Sequence, residues 1–303
     1  VRVTVLEAIQ KSTEFLGKKN VESPRLQTEL LLAHLLKMPR MKLYLNFERA
    51  LSPSEIDSLR ELVKRRGQRE PLQHIIGSTS FCGFEIAVSR HALIPRPETE
   101  LLAEAGWNFL ITRHSSLVTA LDFGTGTGCI AIALAAKCPN AKITATDISV
   151  DALALAKQNA EKNNVAERVE FLQGDGFASV VARASCPCVS ENKHTGKMPV
   201  PLQFDLIISN PPYIASAEIE TLQPEVKNFD PRAALDGGAD GLDFYRRLAT
   251  EAKTFLKPGG KIMLEFGDGQ ADEIKAIFEN EKWIVEAVQE DYSQRARILI
   301  AKI

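Results

Sequence analysis

Several residue types are scarce in this sequence, and each shortage removes a class of protein. Cysteine occurs five times in 303 residues, an odd and sparse set that suits reduced thiols in a cytoplasmic protein, not a disulfide framework. Charge of one sign is not in excess: 37 basic residues stand against 39 acidic ones, for a net charge of −2. Such a balance gives no general attraction to the phosphates of nucleic acid, so no direct nucleic-acid partner is expected. The densest basic cluster, Lys64-Arg65-Arg66, reads as a solvated helix face. No apolar run is long enough to span a bilayer and no signal-peptide pattern opens the chain, which points away from the membrane. What remains is ordinary globular composition, 45% hydrophobic and 25% charged, with length for about two domains.

Residues 1 to about 70 read as helices. Ser52-Pro53-Ser54-Glu55 has the form of a capping box with proline in the first turn. Ser23-Pro24 repeats its first half, ahead of an expected apolar stripe of Leu26, Leu30, Ala33 and Leu36. Short β-like runs at 79–84 and 85–89, with Gly83 at the turn, predict a hairpin. Pro97, Glu98 and Glu100 then suit the start of a helix, whereas Arg96 between two prolines has no such local reason. From about residue 117 strands and helices alternate, which predicts an α/β fold with a parallel sheet covered on both faces. Lys257-Pro258-Gly259-Gly260 reads as a turn. The polar stretch 184–201 interrupts the alternation; it reads as a disordered surface insertion, and its Cys186, Cys188 and His194 lack the second ligand pair of a zinc site, so no metal is expected.

Three places carry chemistry. Gly124-Thr125-Gly126-Thr127-Gly128 lies between a strand and a helix, where glycines allow a tight turn and close approach of a ligand to backbone. Asp147 at the tip of the next strand can accept hydrogen bonds from ribose hydroxyls. The G-x-G-x-G spacing is not the dinucleotide fingerprint, and Cys129-Ile130 is not a Walker ending. A nucleoside site without pyrophosphate recognition favours S-adenosylmethionine, although the same residues taken alone also suit a ligand-free tight turn. Asp175 and Gly176, after the third strand, are candidates to meet the adenine, with Phe177 beside them; an Asp in a glycine-flanked turn has a purely local reading too. Finally, Asn210-Pro211-Pro212-Tyr213 follows a continuous apolar strand, Phe204 to Ser209. The Asn210 carboxamide oxygen and the Pro211 carbonyl make a pair of acceptors for the two hydrogens of an –NH2 group on a planar π-system. Tyr213 could stack on that plane.

Together these residues resemble the protein-(glutamine-N5) methyltransferases of the HemK/PrmC family, which modify the glutamine of the Gly-Gly-Gln motif in class I peptide chain release factors. The match runs from about Pro71 to the C-terminus. It includes Ile94-Pro95-Arg96-Pro97-Glu98-Thr99-Glu100, Gly124 to Gly128, Asp147, Asn210 to Tyr213 and Phe229-Asp230-Pro231-Arg232-Ala233-Ala234-Leu235. The resemblance implies a Rossmann-like, seven-stranded class I S-adenosylmethionine methyltransferase domain over 96–303 with its last strand reversed. It also implies a linking β-hairpin at 73–95 and a small helical bundle at 1–72 that docks the release factor. Gly124 to Gly128, Asp147 and Asn210 would hold the cofactor, and Asn210, Pro211, Pro212 and Tyr213 the acceptor glutamine, in a cytoplasmic monomer. Gly176 departs from the pattern, since some relatives carry a bulky aromatic there. Rival readings are a ribosomal-protein glutamine as acceptor, an adenine N6 in nucleic acid, and a cofactor-binding subunit without activity.

Overall fold

A computed structural model describes residues 2–113, 115–184 and 202–303. Residues 185–201 of the expected insertion, with Cys186, Cys188 and His194, lie outside the described residues. The chain forms two compact units: Val1–Ser78 with Gln223–Phe229, and Thr79–Leu222 with Asp230–Ile303.

The first unit consists of α1 (Val5–Lys18), α2 (Pro24–Leu35), α3 (Arg40–Tyr44), α4 (Pro53–Gly67) and α5 (Leu72–Ile76), with a short helix at Pro224–Lys227. Capping boxes open α1 at Thr4/Glu7 and α4 at Ser52/Glu55, each supplying acceptors for otherwise unpaired N–H groups, worth about 1 kcal/mol. Ser23 does not repeat that cap: it takes a left-handed backbone and its side chain bonds no helix N–H. The expected stripe of α2 is also displaced. Leu26 is 42% exposed, while Leu31, Leu32 and Ala33 are buried. Glu29, only 2% exposed at its side chain, turns inward and accepts from Arg25, Arg40 and the Tyr44 hydroxyl. Nor is the basic cluster a solvated face. Arg66 is buried and joins Arg69 in binding Glu225 at 2.6–2.7 Å, and Arg65 grips Glu70 through two nitrogens.

The second unit opens with a hairpin, β1 (Ser78–Phe81) and β2 (Phe84–Ala87). Cys82 and Gly83 at its turn both have positive φ, the twist that suits a two-residue loop. There follow α6 (Pro97–Thr112), β3 (Val118–Phe123), α7 (Cys129–Lys137), β4 (Ala141–Asp147), α8 (Val150–Lys162), β5 (Val169–Gln173), α9 (Phe177–Ala184) and β6 (Phe204–Ser209). The remainder is α10 (Asp243–Glu251), β7 (Leu256–Glu265), α11 (Ala271–Asn280), β8 (Ile284–Glu290) and β9 (Ala296–Lys302). The large sheet has seven strands in the order β5-β4-β3-β6-β7-β9-β8, and β9 runs antiparallel to both neighbours. Every residue of β6 is buried, as a strand covered on both faces requires. The residues of α7 from Cys129 to Ala135 are likewise buried all round. The expected turn at 257–260 is absorbed into β7 as a bulge, with Phe204 paired to Leu256 but Leu206 to Lys261.

Strand order reverses direction between β3 and β6, where open α/β sheets leave a crevice at their carboxyl ends. The glycine loop, Asp147, Asp175 and Asn210 each follow or end one of the four strands β3, β4, β5 and β6, so the topology gathers them on one edge.

Candidate active site

The loop between β3 and α7 is built from inside outward. Gly128 caps α7 without a side chain, so the first N–H groups of that helix need another acceptor. Asp122 supplies it: its Oδ2 accepts from the Ala131 N–H at 3.1 Å and from the Thr125 hydroxyl at 2.6 Å. Full burial pushes this carboxyl up to about 7, against the pull of those two bonds. Gly124 and Gly126 both have positive φ; a Cβ on the first would meet nothing within 4 Å, and on the second only Ala92 at 3.9 Å. Both therefore leave open room on the cavity side. A Cβ on Gly128 would instead stand 3.0 Å from Ala156, so that glycine serves the packing of α7 on α8 and does not line the cavity. Asp147 fastens the loop from the neighbouring strand, accepting from Gly126 N–H and Ser149 N–H at 2.9 Å each.

The cavity at this edge is walled by the glycine loop, Asp147, Gly174 to Gly176, Asn210, Pro211 and Pro212. Its far side carries Arg96, Thr99 and Pro231. Arg96 now has a reason: it donates to Asp230 at 2.7 Å and so ties the 94–100 motif to the 229–235 motif. Asn210 donates from Nδ2 to the Thr99 hydroxyl at 3.1 Å. Cys129 also lines the cavity, but burial pushes its thiol up to about 12, leaving it protonated and unreactive.

Two expected residues stand elsewhere. Tyr213 is not on the cavity wall; its ring packs against the core around Tyr245 and its carbonyl accepts from Gln270 at 2.9 Å. Phe177 is buried in an aromatic stack, 5.2 Å from Phe123 and 4.6 Å from Phe255, so it does not face the cavity. The phenylalanines that reach the wall are Phe123 and Phe244. Asp175 lines the cavity, but its carboxylate, 61% exposed, is engaged by Arg247.

Sequence reasoning passed over three contributors. Asn159 is buried and donates to the carbonyls of Thr127 and Ala87 while accepting from Ala87 N–H, pinning the glycine loop to the hairpin. Thr99 sits inside a motif already singled out. Glu265 is a lone acid in the apolar run Ile262 to Phe266, and a carboxyl in such a run is itself a signal, because burial without a purpose is costly.

Among the described residues, no group of His, Cys, Asp or Glu is arranged to hold a metal ion, and no helix is long and apolar enough to cross a membrane. A glycine cradle open toward a cavity, an acid at the next strand tip and a seven-stranded sheet with its last strand reversed define a class I methyltransferase that uses S-adenosylmethionine. Residues 114–299 match the model of a methyltransferase domain, and residues 7–77 that of the PrmC N-terminal domain. The release factor glutamine methyltransferase of Geobacter sulfurreducens is 41% identical over 275 residues, covering 91% of this chain and 88% of that protein. Its namesake from Chlorobaculum tepidum is 38% identical over 297 residues, covering 97% and 95%. The chain belongs to the family of release factor glutamine methyltransferases. Among solved structures, the human METTL16 catalytic domain in complex with an RNA hairpin matches with a TM-score of 0.51 at 16% identity, covering 84% of each chain, a likeness of fold alone.

Proposed function

We propose that this chain transfers a methyl group to the side-chain amide nitrogen (N5) of the glutamine in the Gly-Gly-Gln motif of class I peptide chain release factors. The observation that carries the reading is the setting of Asn210. Its Nδ2 is spent on the Thr99 hydroxyl, which leaves Oδ1 for the cavity, beside two prolines that have no N–H to offer. Family membership supplies the acceptor class. In this reading Gly124 to Thr127, Asp147, Asp175 and Gly176 hold S-adenosylmethionine, which when bound supplies an electrophilic methyl group, while Gly128 packs the loop and Asn210 neighbours the cofactor without anchoring it.

The chain's own task is to make a poor nucleophile reactive. An amide nitrogen shares its lone pair with its carbonyl. Two fixed acceptors, Asn210 Oδ1 and the Pro211 carbonyl, take both N–H bonds, orient the nitrogen and favour the pyramidal geometry in which the lone pair is free. Positioning and matched dipoles account for such rate gains without a general base; as the methyl's bond to sulfur breaks and its bond to nitrogen forms, the N-methylated amide becomes strongly acidic and gives up its surplus proton to water. Proline walls at Pro95, Pro211, Pro212 and Pro231 help exclude water. The helical bundle 1–72 docks the release factor, and the hairpin at 73–95 links it to the catalytic domain.

The test is methyl transfer from labelled cofactor to purified release factor, with the Gln→Ala factor and duplex DNA as controls. Label on the wild-type factor alone is expected; label on DNA, or on a ribosomal protein only, would overturn the acceptor. Asn210→Ala should lower kcat by about 10²–10³-fold, the usual cost of removing one preorganised polar group, with S-adenosylhomocysteine binding largely kept. Parallel loss of binding and turnover would contradict the acceptor role of Asn210.

A further inference from the structure

Behind Asn210 lies a buried carboxylate that the reaction as described does not use. In the parallel pairing of β6 and β7, Ser209 is matched to Leu264, so the next residues, Asn210 and Glu265, stand side by side at the strand ends. Thr99, in the first turn of α6, completes the group. Thr99 and Glu265 are 3% and 2% exposed. Asn210 Nδ2 donates to Thr99 Oγ1 at 3.1 Å, and the Thr99 and Asn210 side chains both favour the ionised form of the neighbouring Glu265 carboxyl. Its Oε2 is buried with no partner.

We propose that Glu265 is a positioning residue that sets the direction of a hydrogen-bond relay through Thr99 and thereby turns the Asn210 carboxamide oxygen toward the cavity. The inference rests on the reading of Asn210 as the acceptor-holding residue. Its logic is donor counting. A threonine hydroxyl has one proton, and an ionised carboxylate can only accept. With Glu265 ionised, the Thr99 proton goes to Glu265, and the Thr99 lone pair receives a proton of Asn210 Nδ2. Both amide hydrogens are then drawn inward and Oδ1 faces out. With Glu265 protonated the polarity reverses: the carboxyl can donate, and an inverted amide with Oδ1 inward is equally well bonded. An inverted Asn210 would present N–H groups to the N–H groups of the substrate.

Burial pushes the Glu265 carboxyl up to about 7, which puts the switch between the two polarities near neutrality. The groups around it act in both directions. Arg297 on β9 favours the ionised form and Glu98 on α6 opposes it. Tyr213, next to Asn210, and Tyr245 on α10 are both phenols held protonated by burial. Tyr245 donates to the Glu265 backbone carbonyl at 2.8 Å, not to the carboxylate.

The experiment is the pH dependence of kcat at saturating cofactor and release factor, for the wild type and for Glu265→Gln, Thr99→Val, Thr99→Ser and Asn210→Ala. The wild type should gain activity as pH rises through about 7. Glu265→Gln should lose that rise and run about tenfold slower, the scale of one buried hydrogen bond, while S-adenosylhomocysteine affinity stays within about twofold. Thr99→Val should lose a similar factor, and Thr99→Ser should recover most of it. Wild-type kcat with the wild-type pH rise in Glu265→Gln would overturn the proposal. Should Glu265→Gln fail to fold, the Thr99 pair decides: full activity in Thr99→Val overturns it. Full activity in Asn210→Ala would instead defeat the underlying reading. Loss in Asn210→Ala with full activity in both Glu265→Gln and Thr99→Val would defeat this inference alone.

Discussion

Replacing Gly176 by alanine tests how the end of the cavity proposed for adenine is built. Gly176 has a positive φ of 58°. An L-residue held there costs about 1–2 kcal/mol. Steric overlap costs more. The new Cβ would overlap Phe123 Cε2 and Cζ, so the ring must move. It cannot retreat inward, because Phe177 packs on it and is itself stacked on Phe255. Overpacking of this kind costs about 1–3 kcal/mol, and the direction left open is the cavity that Phe123 lines. The sum, about 2–5 kcal/mol, should lower Tm by about 5–15 °C for a unit of this size. S-adenosylhomocysteine should also bind about tenfold more weakly. Calorimetric binding and thermal melts followed by circular dichroism read both effects. Phe123→Leu, which removes the clashing ring, should return most of the loss when combined with Gly176→Ala. A variant that melts and binds like the wild type would refute the steric account. Additive losses in the double variant would refute the role of Phe123 in it.

Two further variants probe the loop itself. Asp122 has a folded pKa near 7 against an ordinary 3.8, so between those values the folded chain carries one proton more than the unfolded chain. The contribution of Asp122 to stability must therefore fall as pH rises from about 4 to about 7, by a few kcal/mol at about 1.4 kcal/mol per unit. Glu265 adds a change of the same sign. Asp122→Asn should flatten this slope in urea titrations at several pH values, and an unchanged slope would contradict the assignment. Asp147→Ala removes the acceptor for Gly126 and Ser149 as well as any ribose contact. S-adenosylhomocysteine affinity should drop by about 10–100-fold, the worth of one or two charge-assisted hydrogen bonds. Unaltered affinity would remove Asp147 from the cofactor site.

How far the sequence could be read depended on the range of the interactions involved. The glycine loop, the Asn-Pro-Pro run and the alternating strands are local patterns, and backbone sterics tie each to a nearby conformation. The second capping box was readable for the same reason, its partners lying three residues apart. Where the reading failed, the deciding partner was distant in sequence. Arg66 looks like a surface cation until Glu225, far along the chain, arrives beside it. Arg96 had no reason until Asp230 supplied one. Phe177 was expected at the ligand because it follows Gly176, but Phe255 and Phe123 claim it for the core. Glu265 lies between these cases. Its presence in an apolar strand is visible in the sequence, but its relation to Asn210 depends on the register of two parallel strands that are not adjacent in sequence. No local pattern encodes that register. A buried acid in a strand therefore marks where to look, and the neighbouring strand says what it is for.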